Sequence, residues 1–285
     1  MSTPLKNKID FVAIAVVHHA NPNGDPLNDN RPRTDYDGYG VISDVCIKRK
    51  IRNRMQDMGY DIFVQSDDRK NDEYKSLNDR AKGTLKDVDP KKNPEEYRIR
   101  ACEKWMDVRS FGQVFALKKE ADKGTSIGIR GPVSIHEACS VSPVEIESMQ
   151  ITKSVNGETS EKRSSDTMGM KHSIRFGVYI IKGAINVQLA EGTGFSEEDA
   201  HVVKECLRTL FVNDASSARP DGSMEIAKVY WWKHNNKDGQ YPSHRVHDAV
   251  KITLKDGISV PNSLDDYNMV VDNLPDLEPE VIEGW

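Results

Sequence analysis

The stretch that decides the fold is HHANPNGDPLNDNRPRTDYDGYGVISDVCIKRKIRNR, residues 18–54. Its first half is rich in Asn, Asp, Gly and Pro, the residues typical of turns. Before it, IDFVAIAVVHH (9–19) is β-branched and almost wholly apolar, which predicts a strand buried on both faces. After the polar loop, Ser43 or Asp44 can cap a helix over 45–58, because either side-chain oxygen can accept a free backbone N–H.

The predicted helix separates its apolar and basic side chains. An apolar stripe follows the helical spacing, with residues at i, i+4, i+8 and i+11. The cations flank this stripe on both sides, except Arg49, which points away from it. The apolar residues are Ile47, Ile51, Met55 and Met58, and the cations are Lys48, Arg49, Lys50, Arg52 and Arg54.

The remaining patterns predict an α+β, RRM-like (ferredoxin-like) fold. The order strand, helix, insertion, strand, arm, strand, helix, strand is a βαββαβ pattern in one domain with insertions. The first half supplies a charged helical insertion with little core of its own (65–105), a strand interrupted at Gly128, Gly131 and Pro132 (125–138), and an exposed hairpin arm that turns at Asn156-Gly157 (150–173). The second half supplies a strand with a break near Gly183 (174–190), a helix capped by Ser196 with Asp199 (196–211), two strands (224–232 and 244–254) and an irregular tail.

Composition fits a protein with a real core and long hydrophilic excursions. Among the 285 residues, 37% are hydrophobic and 30% are charged, and the mean hydropathy is −0.64. No run approaches the roughly 18 apolar residues of a membrane span. The N-terminus lacks an apolar segment, so no signal peptide and a cytoplasmic location are expected. The four cysteines are far apart, which argues against structural zinc and a disulfide framework.

The net charge of −5 hides an asymmetry. Residues 265–285 contain seven carboxylates and no Lys or Arg, so the rest of the chain is slightly basic. The acidic pI is therefore no argument against a polyanionic ligand. The tail carboxylates are Asp265, Asp266, Asp272, Asp276, Glu278, Glu280 and Glu283.

Catalytic and metal-binding patterns are weak. A two-metal site needs several carboxylates that converge, but the loop acids are scattered among turn formers. An HxxH pair, His244 and His247, falls on a predicted strand, where residues three apart point to opposite faces. No nucleophile elbow or phosphate loop is present. We expect no metal and no cofactor, and turn roles for His18, His19, Asp25, Asp29, Asp35 and Asp37.

Nucleic-acid binding has better physical support. Cations along one helix, beside a loop rich in Asn and backbone N–H groups, can bind successive phosphates without reading bases. Arg109 and Phe111 combine a phosphate-binding fork with a base-stacking ring. A solvated helix face, a core phenylalanine and an exposed hairpin explain the same residues, so the pattern leaves both interpretations open. The arm adds Lys153, Lys162, Arg163, Lys171 and His172.

Four motifs carry a resemblance to a known family. HHANPNGDPLNDNRPRTDYDGYGVISDVCIKRKIR, DVRSFG, GIRGPVSI and DTMGMKHSIRFGVY, in this order, resemble the repeated backbone subunit of the type I-C CRISPR Cascade complex. That is the seventh CRISPR-associated family, within the RAMP superfamily. The resemblance covers nearly the whole chain, and the charged insertion and acidic tail align least well.

The resemblance implies a hand-shaped, non-enzymatic scaffold. An RRM-like palm would carry helical fingers (about 60–105), a β-hairpin thumb (about 150–173) and the tail (265–285). Copies of such subunits stack head to tail along one CRISPR RNA, grip its phosphates, insert the thumb between bases and leave the other bases free for target DNA. The tail would pack on its own body or on the next copy.

The resemblance also implies partners and contact residues. The partners would be CRISPR RNA, target DNA through the guide, other copies, an RNA-processing subunit, a large subunit and a recruited helicase-nuclease, without a membrane. The RNA-binding residues would be Asn21, Asn23, Lys48, Arg49, Lys50, Arg52, Arg54, Arg109, Phe111, Lys153, Arg163, Lys171 and His172.

A metal-dependent RNase is the alternative function. Related RAMP backbone subunits of type III complexes cut target RNA through a loop aspartate. The candidates here would be Asp25, Asp29, Asp35 and Asp37. Cleavage of target RNA with magnesium distinguishes this enzyme from the scaffold, and an RRM-like protein unrelated to CRISPR is a third, more distant possibility.

Overall fold

An eight-stranded antiparallel sheet is the centre of the computed structural model, which describes residues 3–119, 122–152 and 168–285. The strands of the described chain are β1 (Ile9–Ala20), β2 (Gly24–Asp25), β3 (Arg31–Pro32), β4 (Tyr39–Ile42), β5 (Gly112–Lys119), β6 (Asp122–Arg130), β7 (Val133–Ile135), β8 (Ala138–Pro143), β9 (Ile146–Thr152), β10 (Met168–Ile185), β11 (Met224–Lys233), β12 (Val250–Leu254), β13 (Tyr267–Val271) and β14 (Glu280–Glu283). The helices are α1 (Asp44–Asp57), α2 (Leu77–Thr84), α3 (Pro94–Lys104), α4 (Met106–Phe111), α5 (Val187–Thr193), α6 (Glu197–Arg208) and α7 (Ser243–His247), with 3-10 turns at Asp67–Arg69 and Leu264–Asp266. Within these described ranges, every helix is too short or too polar to cross a membrane.

The sheet order confirms the predicted α+β fold. The strands follow the order β14-β11-β1-β10-β8-β4, and β7 and β9 also pair with β10. β1 lies between β10 and β11 and is antiparallel to both, as the βαββαβ pattern requires. Helices α1 and α6 pack in the core on one face of this sheet.

β1 is buried on both faces, as predicted. Successive side chains of a strand point to opposite sides. Phe11 and its odd-numbered neighbours therefore face the core that contains α1 and α6. Val12, Ile14 and Val16 face a second core, which α7 and the hairpin β12–β13 cover.

The two long helices that flank the sheet begin where their caps predict. The Ser43 hydroxyl accepts the backbone N–H of Cys46 and caps α1, while Asp44 pairs with Lys48. In α6, Ser196 and Asp199 form a reciprocal capping box. The α1 residues Ile47, Ile51 and Met55 are buried as predicted, whereas Met58 lies past the helix end and is 37% exposed.

The charged insertion has a core of its own, so the prediction of little core was wrong. Phe63 lies 4.6 Å from Trp105 and 5.1 Å from Phe115 between ring centroids. Tyr97 and Trp105 come from the insertion, but Phe115 comes from the hairpin β5–β6 that follows it. The window 65–105 looks poor in apolar residues because its core is completed from outside that window.

Two element boundaries in the second half differ from the sequence prediction. β10 runs through Gly183 to Ile185 without the expected break, and α5 then begins at Val187, where Asn186 caps it through the Leu189 N–H. The predicted strand 244–254 is helix α7 followed by β12. On this helix His247 is buried and its Nε2 lies 2.9 Å from the Gly183 carbonyl oxygen, while His244 is exposed.

The acidic tail is ordered as strands, in contrast to the predicted irregular segment. β13 pairs with β12, and β14 pairs with β11 at the edge of the main sheet. Ion pairs hold the tail on the body of its own chain: Lys204–Glu280 at 2.7 Å and Lys228–Glu283 at 3.2 Å. These strands explain the tail's order, since sheet pairing and complementary charge offset its low apolar content.

The cysteines are free thiols, as expected. Burial raises the pKa of Cys206 to about 12 and that of Cys102 to about 11. Both therefore stay protonated near neutral pH and behave as small core side chains.

Candidate nucleic-acid interface

A cleft of about 330 Å³ follows one face of α1, and we call it the α1 groove. Its floor is the helix, one end is the loop 22–24, and its walls are residues 66–69 and 213–219. Four basic side chains and two carboxylates line it, so the lining has a formal charge of +2. These six are Arg49, Lys50, Arg69, Arg219, Asp68 and Asp214.

Lys50 is a buried cation in this groove. Its side chain is 4% exposed and pairs with Asp214, which also accepts a hydrogen bond from Arg219 Nε at 3.0 Å. Burial lowers the pKa of the Lys50 ammonium, and the nearby carboxylate of Asp214 offsets only part of that effect. Because one carboxylate serves two cations, the pair retains a net positive charge.

Arg49 is the second incompletely neutralised cation. Its guanidinium donates to the Val64 carbonyl oxygen at 2.7 Å, its one hydrogen bond to the residues that the structure describes. Burial lowers the pKa of Arg49, and the charge of Arg52 lowers it further. An anion beside Arg49 would relieve both effects.

The amide side chains near the groove have different roles. Asn23 Oδ1 accepts the Ser43 N–H at 2.9 Å, and Asn21 Nδ2 donates to the Asn30 carbonyl at 2.6 Å. Both predicted residues thus fix the loop against the start of α1. Asn53 lines the groove, and its buried Oδ1 has no partner among the described residues.

The other α1 cations are paired with protein groups. Lys48 pairs with Asp44 at 2.9 Å, one helical turn away. Arg52 pairs with Asp107 at 2.9 Å. Arg54 donates to Thr209 at 3.1 Å and to Asp57 at 2.9 Å. Arg52 and Arg54 thus tie the helix to neighbouring elements.

Arg109 and Phe111 lie apart from the α1 groove. Arg109 Nε and one terminal nitrogen bond the two oxygens of Asp199 at 2.8 and 2.9 Å, and the other terminal nitrogen donates to the Cys102 carbonyl at 2.6 Å. Phe111 packs against the core, and the Arg52 guanidinium lies 5.0 Å from its ring centroid. The structure therefore occupies both side chains in contacts between helices.

A two-stranded stem rises where the hairpin arm was predicted. β9 and the first part of β10 pair from Ile146↔Ile174 to Thr152↔Met168. Lys171 is partly exposed on this stem, whereas His172 is buried and its Nδ1 lies 2.8 Å from Ser148 Oγ. The residues Lys153, Lys162, Arg163 and the Asn156-Gly157 turn lie outside the described residues.

The stem exposes apolar side chains on both faces, a feature that the sequence analysis missed. Met168 and Met170 share one face, and Met149 and Ile151 share the other, because side chains alternate along paired strands. Met149 and Met168 are both 66% exposed. Alternating large apolar residues before and after residues 153–167 are the sequence signal that could have revealed this stem.

The acids of the polar loop stabilise turns. Asp25 pairs with Arg33 at 3.2 Å and accepts the Leu27 N–H. Asp35 accepts the N–H groups of Asp37 and Tyr39 at 3.0 and 2.8 Å. Asp29 has a positive φ of 48° in the same loop. Across residues 3–119, 122–152 and 168–285, no three His, Cys, Asp or Glu side chains form a group that could hold a metal ion.

The two neighbouring histidines at the end of β1 also have protein contacts. The His18 ring packs 4.8 Å from that of Phe176 between centroids. His19 Nδ1 lies 3.3 Å from a Glu147 oxygen at the base of the stem. The turn role expected for His19 agrees with its positive φ of 45°.

Several groove residues were not predicted. Arg69, Asp214 and Arg219 belong to loops that only the fold brings to α1. Asp214 is 164 residues from its partner Lys50. No local sequence pattern indicates that pairing, because its residues contribute to no common element.

The fold and site together define a class: a ferredoxin-like α+β protein with a helical insertion, an exposed apolar stem and a basic groove along its first helix. Comparison with known proteins agrees with this description. The chain belongs to the family described as CRISPR-associated protein Cas7, whose family model matches residues 7–272.

One curated relative shares that description. The CRISPR-associated protein Cas7 of Haloferax volcanii is 27% identical over 219 residues, which are 72% of this chain and 64% of the relative. The chain therefore spans less than two thirds of that relative's length.

Solved structures with a similar fold are more distant. A chain titled CRISPR RNA-guided surveillance complex, pre-nicking, is 13% identical with a TM-score of 0.45, and 83% of each chain is covered. A second, titled CRISPR RNA-guided surveillance complex, is 16% identical with a TM-score of 0.42, and 88% of this chain and 78% of that chain are covered. These scores are too low to support an argument about function.

Proposed function

We propose that the protein is a non-enzymatic backbone subunit that binds CRISPR RNA in a type I-C Cascade complex. The single observation that carries this proposal is the α1 groove, a basic cleft with two incompletely neutralised cations in a chain of the Cas7 family. The type I-C assignment rests on the resemblance of the four motifs quoted above.

The groove suits a phosphate backbone. Arg49 and Lys50 lie on its floor, and Arg69 and Arg219 lie on its walls. Cations in such a row neutralise successive phosphates and release counterions, without sequence preference. That is the recognition a guide-binding subunit needs, because base pairing supplies the specificity for the target. We leave Arg109 and Phe111 out of this interface, since protein groups occupy them.

The stem suits insertion between bases. Its apolar faces, Met149 with Ile151 and Met168 with Met170, would contact the flat faces of two neighbouring bases. Burying them against bases removes apolar surface from water. Lys171 on the stem, and Lys153 and Arg163 beyond it in sequence, would lie near the backbone of the same RNA.

Head-to-tail stacking of copies would extend the groove along the guide. Such a heterologous contact generates an open helical filament when its rotation does not close. Target DNA would pair with the exposed bases, and the RNA-processing subunit, the large subunit and the helicase-nuclease of a type I-C system would be the further partners.

Purification from cells that express the cognate CRISPR array tests the proposal. We expect a large particle that contains RNA of one discrete length, measured by size-exclusion chromatography, the ultraviolet absorbance ratio and gel analysis. An Arg49→Glu, Arg219→Glu variant should lose most of that RNA, whereas Lys251→Glu, Lys255→Glu, which changes the charge equally on and beside β12, should retain it. A monomer without nucleic acid that never assembles would refute the proposal.

A cleavage assay tests the non-enzymatic part. The purified particle is incubated with magnesium and complementary target RNA, and we expect no products. Regular cuts that disappear on Asp25→Ala, Asp29→Ala, Asp35→Ala or Asp37→Ala would instead establish the RNase alternative.

A further inference from the structure

We propose that Asn53 makes the α1 groove selective for RNA over DNA by accepting a hydrogen bond from a ribose 2′-hydroxyl. The inference rests on the proposed function, since it concerns the same groove. It adds a chemical discrimination that phosphate-binding cations cannot provide, because RNA and DNA have the same phosphates.

The observation is an acceptor without a donor. Asn53 Oδ1 is buried and has no hydrogen-bond partner among the described residues, although its side chain lines the groove. A buried acceptor left in this state is unfavourable, and a ligand that supplies a donor gains from satisfying it. Two other buried oxygens nearby also lack described partners, Asn21 Oδ1 and Ser223 Oγ, but neither residue lines the groove.

The chemistry of the acceptor selects the ligand group. A phosphate oxygen is itself an acceptor and cannot satisfy an amide oxygen. The ribose 2′-hydroxyl can donate, and it is the group by which a protein distinguishes RNA from DNA at a given site. Asn53 therefore complements its cationic neighbours, which bind the phosphate, instead of duplicating them.

The position on α1 fits this division of roles. Asn53 follows Arg49 by four residues and Lys50 by three, so the three side chains lie on neighbouring turns of one helix face. Asp214 and Asn213 form the wall beside them. A phosphate between Arg49 and Lys50 brings the ribose of the same nucleotide over the next turn, where Asn53 lies.

Binding to matched oligonucleotides tests the inference. The purified protein is titrated with RNA, with DNA of the same sequence, and with 2′-O-methyl RNA, which keeps the 2′ oxygen but lacks its proton. We expect RNA to bind about three- to tenfold more tightly than both others, as one hydrogen bond allows. Asn53→Leu should weaken RNA binding by that factor and leave DNA binding unchanged.

Controls distinguish the possible failures. Asn268→Leu, on the exposed face of β13, should preserve the preference for RNA, and circular dichroism verifies the fold of each variant. Equal weakening of RNA and DNA by Asn53→Leu, an unchanged preference, or a loss confined to one base sequence would overturn the inference. If Arg49→Glu, Arg219→Glu weakens neither nucleic acid, the proposed function itself fails; if it weakens both while Asn53→Leu leaves their ratio unchanged, only this inference fails.

Discussion

The α1 groove and the contact between Arg109 and Asp199 are two basic regions of one fold that differ in their supply of acceptors. Arg109 uses all three of its guanidinium nitrogens on protein oxygens, two of them on a single carboxylate. In the groove one carboxylate, Asp214, serves both Lys50 and Arg219, and Arg49 has one described acceptor. The number of cations is therefore a poor guide to a polyanion site, and the number of acceptors left per cation is a better one.

The largest expected effect breaks the Arg109 contact. Arg109→Ala leaves Asp199 nearly buried without its cation, so the free energy of unfolding should fall by about 3 kcal/mol. Chemical denaturation measures this change. The remaining folded protein should bind RNA as the original does. A stable variant with much weaker RNA binding would mean that Arg109 contacts the guide after all.

Reversing two groove charges should have a comparable effect on binding alone. Arg49→Glu, Arg219→Glu removes two charge-assisted contacts, so RNA affinity should fall about 100-fold, from roughly 1.5 kcal/mol per contact. The plot of log affinity against log salt concentration should also become shallower by about two. Filter binding at several salt concentrations measures both. The Lys251→Glu, Lys255→Glu control should change neither, and equal losses in both variants would indicate a long-range charge effect.

The pH dependence of binding is a smaller test of the same region. Burial lowers the pKa of Lys50 in the free protein, and a bound phosphate would raise it. Binding then takes up a proton at a pH between those two values, so RNA affinity should decrease as the pH rises through that range. Lys50→Arg keeps its charge at these pH values and should remove the decrease. A dependence that is identical in both proteins would mean that Lys50 lies away from the RNA.

The smallest expected effect concerns Lys48. Its ion pair with Asp44 is partly exposed and spans one helical turn, so Lys48→Ala should change the free energy of unfolding by only about 0.3–0.5 kcal/mol. Thermal unfolding measures this change. A loss of RNA affinity as large as that of the groove variant would extend the interface onto this face of α1.

Local patterns were sufficient for the fold's central elements. β1, α1 and α6 were predictable because burial alternation, helical spacing and caps are encoded within a few neighbouring residues. The core of the insertion was not, because Phe115 joins it from a later hairpin. Helix α7 was read as a strand because its Val246 and His247 are buried by contacts with distant parts of the chain.

The candidate site was only half predictable for the same reason. The cations of α1 could be found in the sequence, but their partners could not. Asp199 is 90 residues from Arg109, and Asp214 is 164 residues from Lys50. Whether a cation is neutralised or open to a ligand is a property of those long-range pairs, so the sequence treated Arg109 and Arg49 alike.

The most direct test of the central claim is ultraviolet cross-linking of the particle purified with its own RNA, followed by mass spectrometry of the RNA-linked peptides. The account predicts linked peptides from residues 46–53, 66–69 and 213–219, which line the α1 groove, and their loss in the Arg49→Glu, Arg219→Glu variant. Cross-links that avoid these three segments and cluster on another face would contradict it.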